Sequence, residues 1–256
     1  MKRQTRILLL VVVTLAAIAI VVILPPIPQS LAYHLFADRR AMAGIPNFAN
    51  VFSNIPFLLV GGYGLYLLGH SNAANAIKLI YGIIFSGIVF TGLGSAYYHY
   101  APGNYSLVFD RLPMVIVFMA FLCATIADWI NVKAGTILLM PLLLLGLASV
   151  IYWYYTELKG TGDLRFYGFI QYYPMLIIPF IFLLFASPAG NKGLYLLIWV
   201  MAWYGIAKVC EATDAPVYHA TGFISGHSLK HITAAIATWY LVRFFKKKYC
   251  EGALMD

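Results

Sequence analysis

The stretch "TGLGSAYYHYAPGNYSLVFDRLPM", residues 91–114, joins two strongly apolar runs through a short turn. The first run ends in Ser95 and His99, Pro102-Gly103-Asn104 reverses the chain, and the second run carries Asp110 near its start. Turn residues between two long apolar segments predict a pair of helices running in opposite directions. This pair places a hydroxyl, an imidazole and a carboxylate where the chain leaves and re-enters an oily environment.

The rest of the chain repeats the pattern. Of 256 residues, 62% are hydrophobic and 10% charged, and the mean hydropathy is +0.83; soluble domains are roughly 45–50% apolar. Apolar runs recur at approximately 7–24, 50–68, 78–98, 107–129, 135–155, 169–186, 194–209 and 223–245. Each can span a hydrocarbon layer of about 30 Å at 1.5 Å per residue. They are too long for barrel strands and lack period-2 alternation. The predicted fold is all-α: a polytopic transmembrane helical bundle with a seven-helix core and one extra N-terminal transmembrane helix. Residues 1–30 form that extra helix, read as retained rather than cleaved because Pro25-Pro26 follows it without a small-x-small site. Residues 31–248 form the seven-helix membrane domain, and 249–256 a cytoplasmic tail.

The net charge of +8 is a matter of topology. With a cytoplasmic start, Lys2, Arg3, Arg6, Lys133, Lys192, Lys246, Lys247 and Lys248 all fall on the inner side, with Lys78 and Arg243 near it. The outer side holds Asp38, Glu157, Asp163, Glu211 and Asp214, mixed with Arg39, Arg40, Lys159 and Arg165. This distribution argues against a nucleic-acid partner. It places both termini in the cytoplasm and suits a bacterial inner membrane. Cys123, Cys210 and Cys250 have no metal spacing.

An ionisable residue in a membrane helix costs roughly 2.5–3.5 kcal/mol at the centre even on insertion scales. Counting helices through the topology puts Ser95, His99, Asp110, His227 and His231 at one depth, near the outer face. His227 and His231, four apart, share one helix face. A third histidine from a neighbouring helix completes a three-imidazole set, the pattern of a catalytic zinc whose fourth position is left to water. Taken singly, Asp110 also suits a helix cap or a partner for Arg111, and Ser95 a bond to its own helix backbone. Asn47, Asn50 and Asn54 form a polar stripe at the outer start of the second helix, suited either to supporting the site by hydrogen bonds or to gluing helices together. Glu211 is a candidate to orient a ligand histidine. Asp214 reads as a solvated loop residue, and His34, His70 and His219 as interfacial.

Ser95 and His99 as S-x-x-x-H, Asp110 after the turn, His227 and His231 as H-x-x-x-H, and "NVFSN" at 50–54 together resemble the alkaline ceramidase family. It belongs to a superfamily of seven-helix membrane proteins that includes progestin and adipoQ receptors and GPI-lipid remodelling proteins. The resemblance spans roughly residues 33–245 and implies that His99, His227 and His231 bind zinc, with Ser95 and Asp110 as catalytic neighbours. It further implies hydrolysis of the amide of an N-acyl sphingoid base, so the expected partner is a membrane lipid, ceramide or another N-acyl lipid. In that mechanism metal-activated water attacks, Asp110 moves the proton and Ser95 donates to the developing oxyanion. A lipid esterase or phospholipase-like hydrolase, and a receptor-like lipid-binding protein with a structural zinc, are the competing readings. Alkaline ceramidases also carry calcium in an acidic segment ahead of the first core helix. Here only Asp38 and Asn47 remain as oxygen ligands, and Arg39-Arg40 oppose a cation, so calcium is doubtful.

Overall fold

The computed structural model describes residues 1–185 and 193–251. Lys192 and positions 252–256 of the tail, assigned above to the cytoplasmic side, lie outside the described residues. Within them the chain is helical: α1 (Arg3–Ile23), α2 (Phe48–Phe52), α3 (Ile55–Gly69), α4 (Asn75–Tyr100), α5 (Asn104–Trp129), α6 (Val132–Leu158), α7 (Arg165–Phe185), α8 (Leu194–Ala212), α9 (Asp214–Thr221) and α10 (Gly226–Lys246). Among the described residues seven segments are long and apolar enough to cross a membrane: α1, Phe48–Gly69 taken together, and α4 through α8. The eighth expected position is held by α10, which matches α1 in length but carries His227, Lys230, His231, Arg243 and Lys246.

Two local features depart from the expected runs. The second span is broken at Ser53-Asn54, where a five-residue helix ends and α3 begins with Pro56 in its first turn. Proline is tolerated there because the amide it lacks has no intrahelical partner anyway. The expected start of the last helix at 223 moves to Gly226, because Ser225 caps it by accepting from the Ser228 amide at 3.2 Å. The preceding residues instead form the extra helix α9.

The chain forms two compact units. The first comprises Met1–Gln29, Ala74–Ile84 and Met114–Asn191, with α7 against both α1 and α6. Polar contacts hold α1 to it. The Thr14 and Tyr173 hydroxyls lie 2.7 Å apart, the Leu164 amide donates to the Ile27 carbonyl at 2.8 Å, and the Arg165 guanidinium donates to the Leu24 carbonyl. Arg165 is itself oriented by Asp163 at 2.7 Å.

The second unit comprises Ser30–Ala73, Phe85–Pro113 and Lys192–Asp256. Here α10 lies along α8 and touches α2, α3 and α9. Two glycines set close approaches. A Cβ at Gly94 on α4 would fall on the Phe109 carbonyl of α5, and one at Gly226 would fall on the Cys210 carbonyl of α8. The absence of a side chain at these positions brings α4 against α5 beside Ser95, and α10 against α8 beside His227.

Candidate metal centre

Every residue of the candidate site belongs to the second unit. α4 supplies Ser95 and His99, α5 supplies Asp110, and the first turns of α10 supply His227 and His231. His99, His227 and His231 are 1%, 5% and 3% exposed, and one ligand atom from each lies within 4.8 Å of the others. The fold therefore brings together three imidazoles contributed by two helices. Ser95 and Asp110 are both buried and lie on the two helices that Gly94 brings into close approach.

The hydrogen-bond network assigns, by inference, the lone pairs of His231 and His227. The Ser53 hydroxyl donates to the Asn50 carbonyl at 3.0 Å, so its oxygen is left to accept the Nδ1–H of His231 at 2.8 Å. The lone pair of His231 is then on Nε2, which faces Nε2 of His99 at 3.1 Å. Nδ1 of His99 is buried with no hydrogen-bond partner. An ammonium can only donate, so Nε2 of His227, 3.3 Å from Lys230 Nζ, also carries its lone pair. Three buried imidazoles, one with an orphaned ring nitrogen, are a donor set that could hold a metal ion.

The surroundings differ in part from expectation. Asn50 is fully buried; its amide donates to the Asp38 carbonyl at 3.2 Å and its oxygen accepts from Ser228 at 2.7 Å, tying the 30–47 segment to α10. Asn54 reaches Nδ1 of His231 at 3.5 Å, and Asn47 donates to the backbone carbonyl of His99 at 2.9 Å. Glu211 is linked to His227 through Lys230. It pairs with Lys230 at 2.8 Å and with Lys208, and accepts from Tyr33 at 3.2 Å. Asp214 is not a free loop residue: its two oxygens accept from the Ala37 and His227 amides at 2.9 and 2.8 Å, clamping the start of α10. His34, too, is bridged, between the Tyr98 hydroxyl at 2.9 Å and Asn104 at 3.0 Å. Both carboxylate oxygens of Asp38 are held by Arg40, at 2.9 and 2.8 Å, and that hydrogen-bonded pairing keeps its carboxyl below the usual range.

Several residues of the site carry no helical or motif signal. Phe36 lies over His99 and His227, with ring centroids at 4.6 and 4.9 Å, and is 3% exposed. Ser53 sits unremarked between two asparagines of "NVFSN". Lys230 carries a readable signal, because a lysine between two histidines of a membrane-embedded helix face is itself costly to place.

A family model described as ceramidase matches residues 40–251. The chain belongs to the ceramidase family. No curated protein matches its sequence. The ceramidase match spans all three histidines, Ser95, Asp110, Ser53 and Lys230, and begins after Phe36 and Asp38, so the aromatic cover of the site lies ahead of it. α1 lies ahead of it as well.

Proposed function

We propose that this ceramidase-family protein is a zinc-dependent membrane amide hydrolase that cleaves the N-acyl bond of ceramide or a similar lipid, giving a fatty acid and a long-chain amine. The reading is carried by one observation: a buried three-histidine cluster in a unit where the helix of His99 also carries the buried Ser95 and packs closely against the helix of the buried Asp110. His99, His227 and His231 would hold the ion. When bound, zinc supplies a Lewis acid for the amide carbonyl and lowers the pKa of water toward neutrality.

The chain's own groups account for the proton movements. Asp110 accepts a proton from the attacking water and returns it to the departing nitrogen, so that amide and water become acid and amine. In this reading Ser95 donates to the Asp110 carboxylate and orients it. Once that carboxyl is protonated, the Ser95 hydrogen is free to turn to the substrate oxygen. Phe36 and the buried asparagines exclude bulk water from the histidines. The charge distribution supports cytoplasmic termini, a site at the outer face and a bacterial inner membrane as its setting.

The test uses the purified protein in detergent with ceramides, other N-acyl lipids and acyl esters. Fatty acid and amine should appear in equal amounts from the amides, stop on chelation and return with zinc. Asp110→Asn should lower turnover about 10³-fold while zinc content stays at the wild-type level. Faster cleavage of esters would favour the esterase reading. A zinc-loaded preparation that cleaves no lipid would end the enzyme reading and leave the receptor-like one.

A further inference from the structure

The reaction above leaves one ion of the site unused. Lys230 lies on α10 between His227 and His231, its side chain only 18% exposed. Its ammonium donates to Glu211 Oε1 at 2.8 Å and to His227 Nε2 at 3.3 Å. Glu211 is itself fixed, by Lys208 and by the Tyr33 hydroxyl. The lysine is therefore held on one side by a tethered anion and lies on the other against an imidazole lone pair. A neutral imidazole has one such lone pair, because its second ring nitrogen carries the proton. An ammonium donating to that lone pair and a metal accepting it cannot both be satisfied. Like charge adds to the conflict, since a dication and an ammonium repel at close range in a dry site.

We propose that Lys230 is a built-in competitor for the metal at His227: a positioning residue that sets how tightly the site holds its ion. On metal binding the ammonium gives up His227, stays tethered to Glu211 and turns to Asp110, the other carboxyl within its electrostatic reach. Glu211 has the opposite effect, since it draws the lysine away from the imidazole and offsets the ion's charge. The inference rests on the metal-centre reading, and its test separates the two.

Zinc affinity is measured on the purified full-length protein in detergent by competition with a chromophoric chelator. Lys230→Met keeps the length of the stem, removes the donor and the charge, and leaves Glu211 paired with Lys208. It should tighten zinc binding about 10-fold, the lower end of what a group next to a metal ligand is worth. Glu211→Gln should weaken binding by a similar factor, and Lys230→Arg, which retains a cation, should stay within about threefold of wild type. A lysine that served only to satisfy Glu211 would give the reverse for Lys230→Met, because loosening the fold loosens the site. If that variant does not fold, Lys230→Gln reads the same competition. Unchanged or weaker zinc binding in the Met and Gln variants overturns the inference while the metal centre stands. Equal zinc binding in wild type and His227→Ala overturns both.

Discussion

If His99, His227 and His231 hold the proposed ion, the Ser53 hydroxyl, bonded to His231, supports that site, and its removal has a calculable effect. It accepts the Nδ1–H of His231 at 2.8 Å and so keeps the Nε2 lone pair of that histidine on the side of His99. In Ser53→Ala the buried Nδ1–H loses its acceptor, which costs about 1–3 kcal/mol. Partners of metal-ligating histidines contribute about 10–100-fold in affinity, which is the same range on an energy scale. Asn54 limits the loss. Its amide nitrogen lies 3.5 Å from the same Nδ1, and its own oxygen is buried without a partner. Turning that amide over presents an acceptor to His231 but gives up the 2.8 Å bond to the Asn50 carbonyl, so the replacement is partial. Ser53→Ala should therefore weaken zinc binding about 10-fold, and Ser53→Ala with Asn54→Leu about 100-fold. Chelator competition on folded protein reads both values, with thermal unfolding as the check on folding. Affinities within twofold of wild type in both variants would refute the assignment of Nε2 as the lone-pair nitrogen of His231.

Gly94→Ala tests how Ser95 and Asp110 are brought together. Its Cβ would lie 2.8 Å from the Phe109 carbonyl carbon, about 0.7 Å inside the best carbon–carbon separation, so α4 and α5 must part. Overpacking of this kind costs about 1–3 kcal/mol, and a 1 Å misplacement of catalytic groups costs up to about 10²-fold in rate. Amide hydrolysis should fall 10- to 100-fold, and full activity would show that the close approach does not set the pair. Asp163→Asn tests the anchoring within the first unit. Hydrogen bonds from Arg165 hold the Asp163 carboxyl down at about 2, against about 3.9 when unfolded. A depressed carboxyl stabilises the fold above its unfolded value and loses that contribution as pH falls through its folded one. The Tm of wild type should exceed that of Asp163→Asn by a few degrees at pH 7, roughly 3 °C, and the gap should close between about pH 4 and pH 2. A gap that is constant with pH would assign the difference to packing.

The parts legible in the sequence were those governed by period and depth. Apolar runs specify helices because a backbone in hydrocarbon must satisfy its own hydrogen bonds, and the i, i+4 spacing of His227 and His231 follows from helix geometry alone. His99 and Asp110 joined them because helices of known direction place their ends at predictable heights. The groups that orient the site obey neither rule. Ser53 meets His231 across 178 positions of sequence, and Phe36 reaches the histidines from a segment with no helical period at all. Asp214 looked like a loop residue because nothing in "EATDAPV" indicates that its carboxylate caps the start of the following long helix. Such contacts are decided by side-chain geometry after the helices have docked.

Glu211 shows how an ionisable residue can be valued from the sequence while its route to the histidines is not. The cost of placing it near the membrane was a sound reason to attach it to the histidines. Its partner is a second costly residue, Lys230 at 2.8 Å, which in turn lies 3.3 Å from His227 Nε2. The attraction between carboxylate and ammonium offsets part of the cost of taking each ion from water, and both side chains keep some exposure, 18% for Lys230 and 17% for Glu211. The sequence supplies both residues and their cost; it cannot supply the order in which they contact the imidazole, and that order decides whether Glu211 tunes the ligand directly or through the lysine.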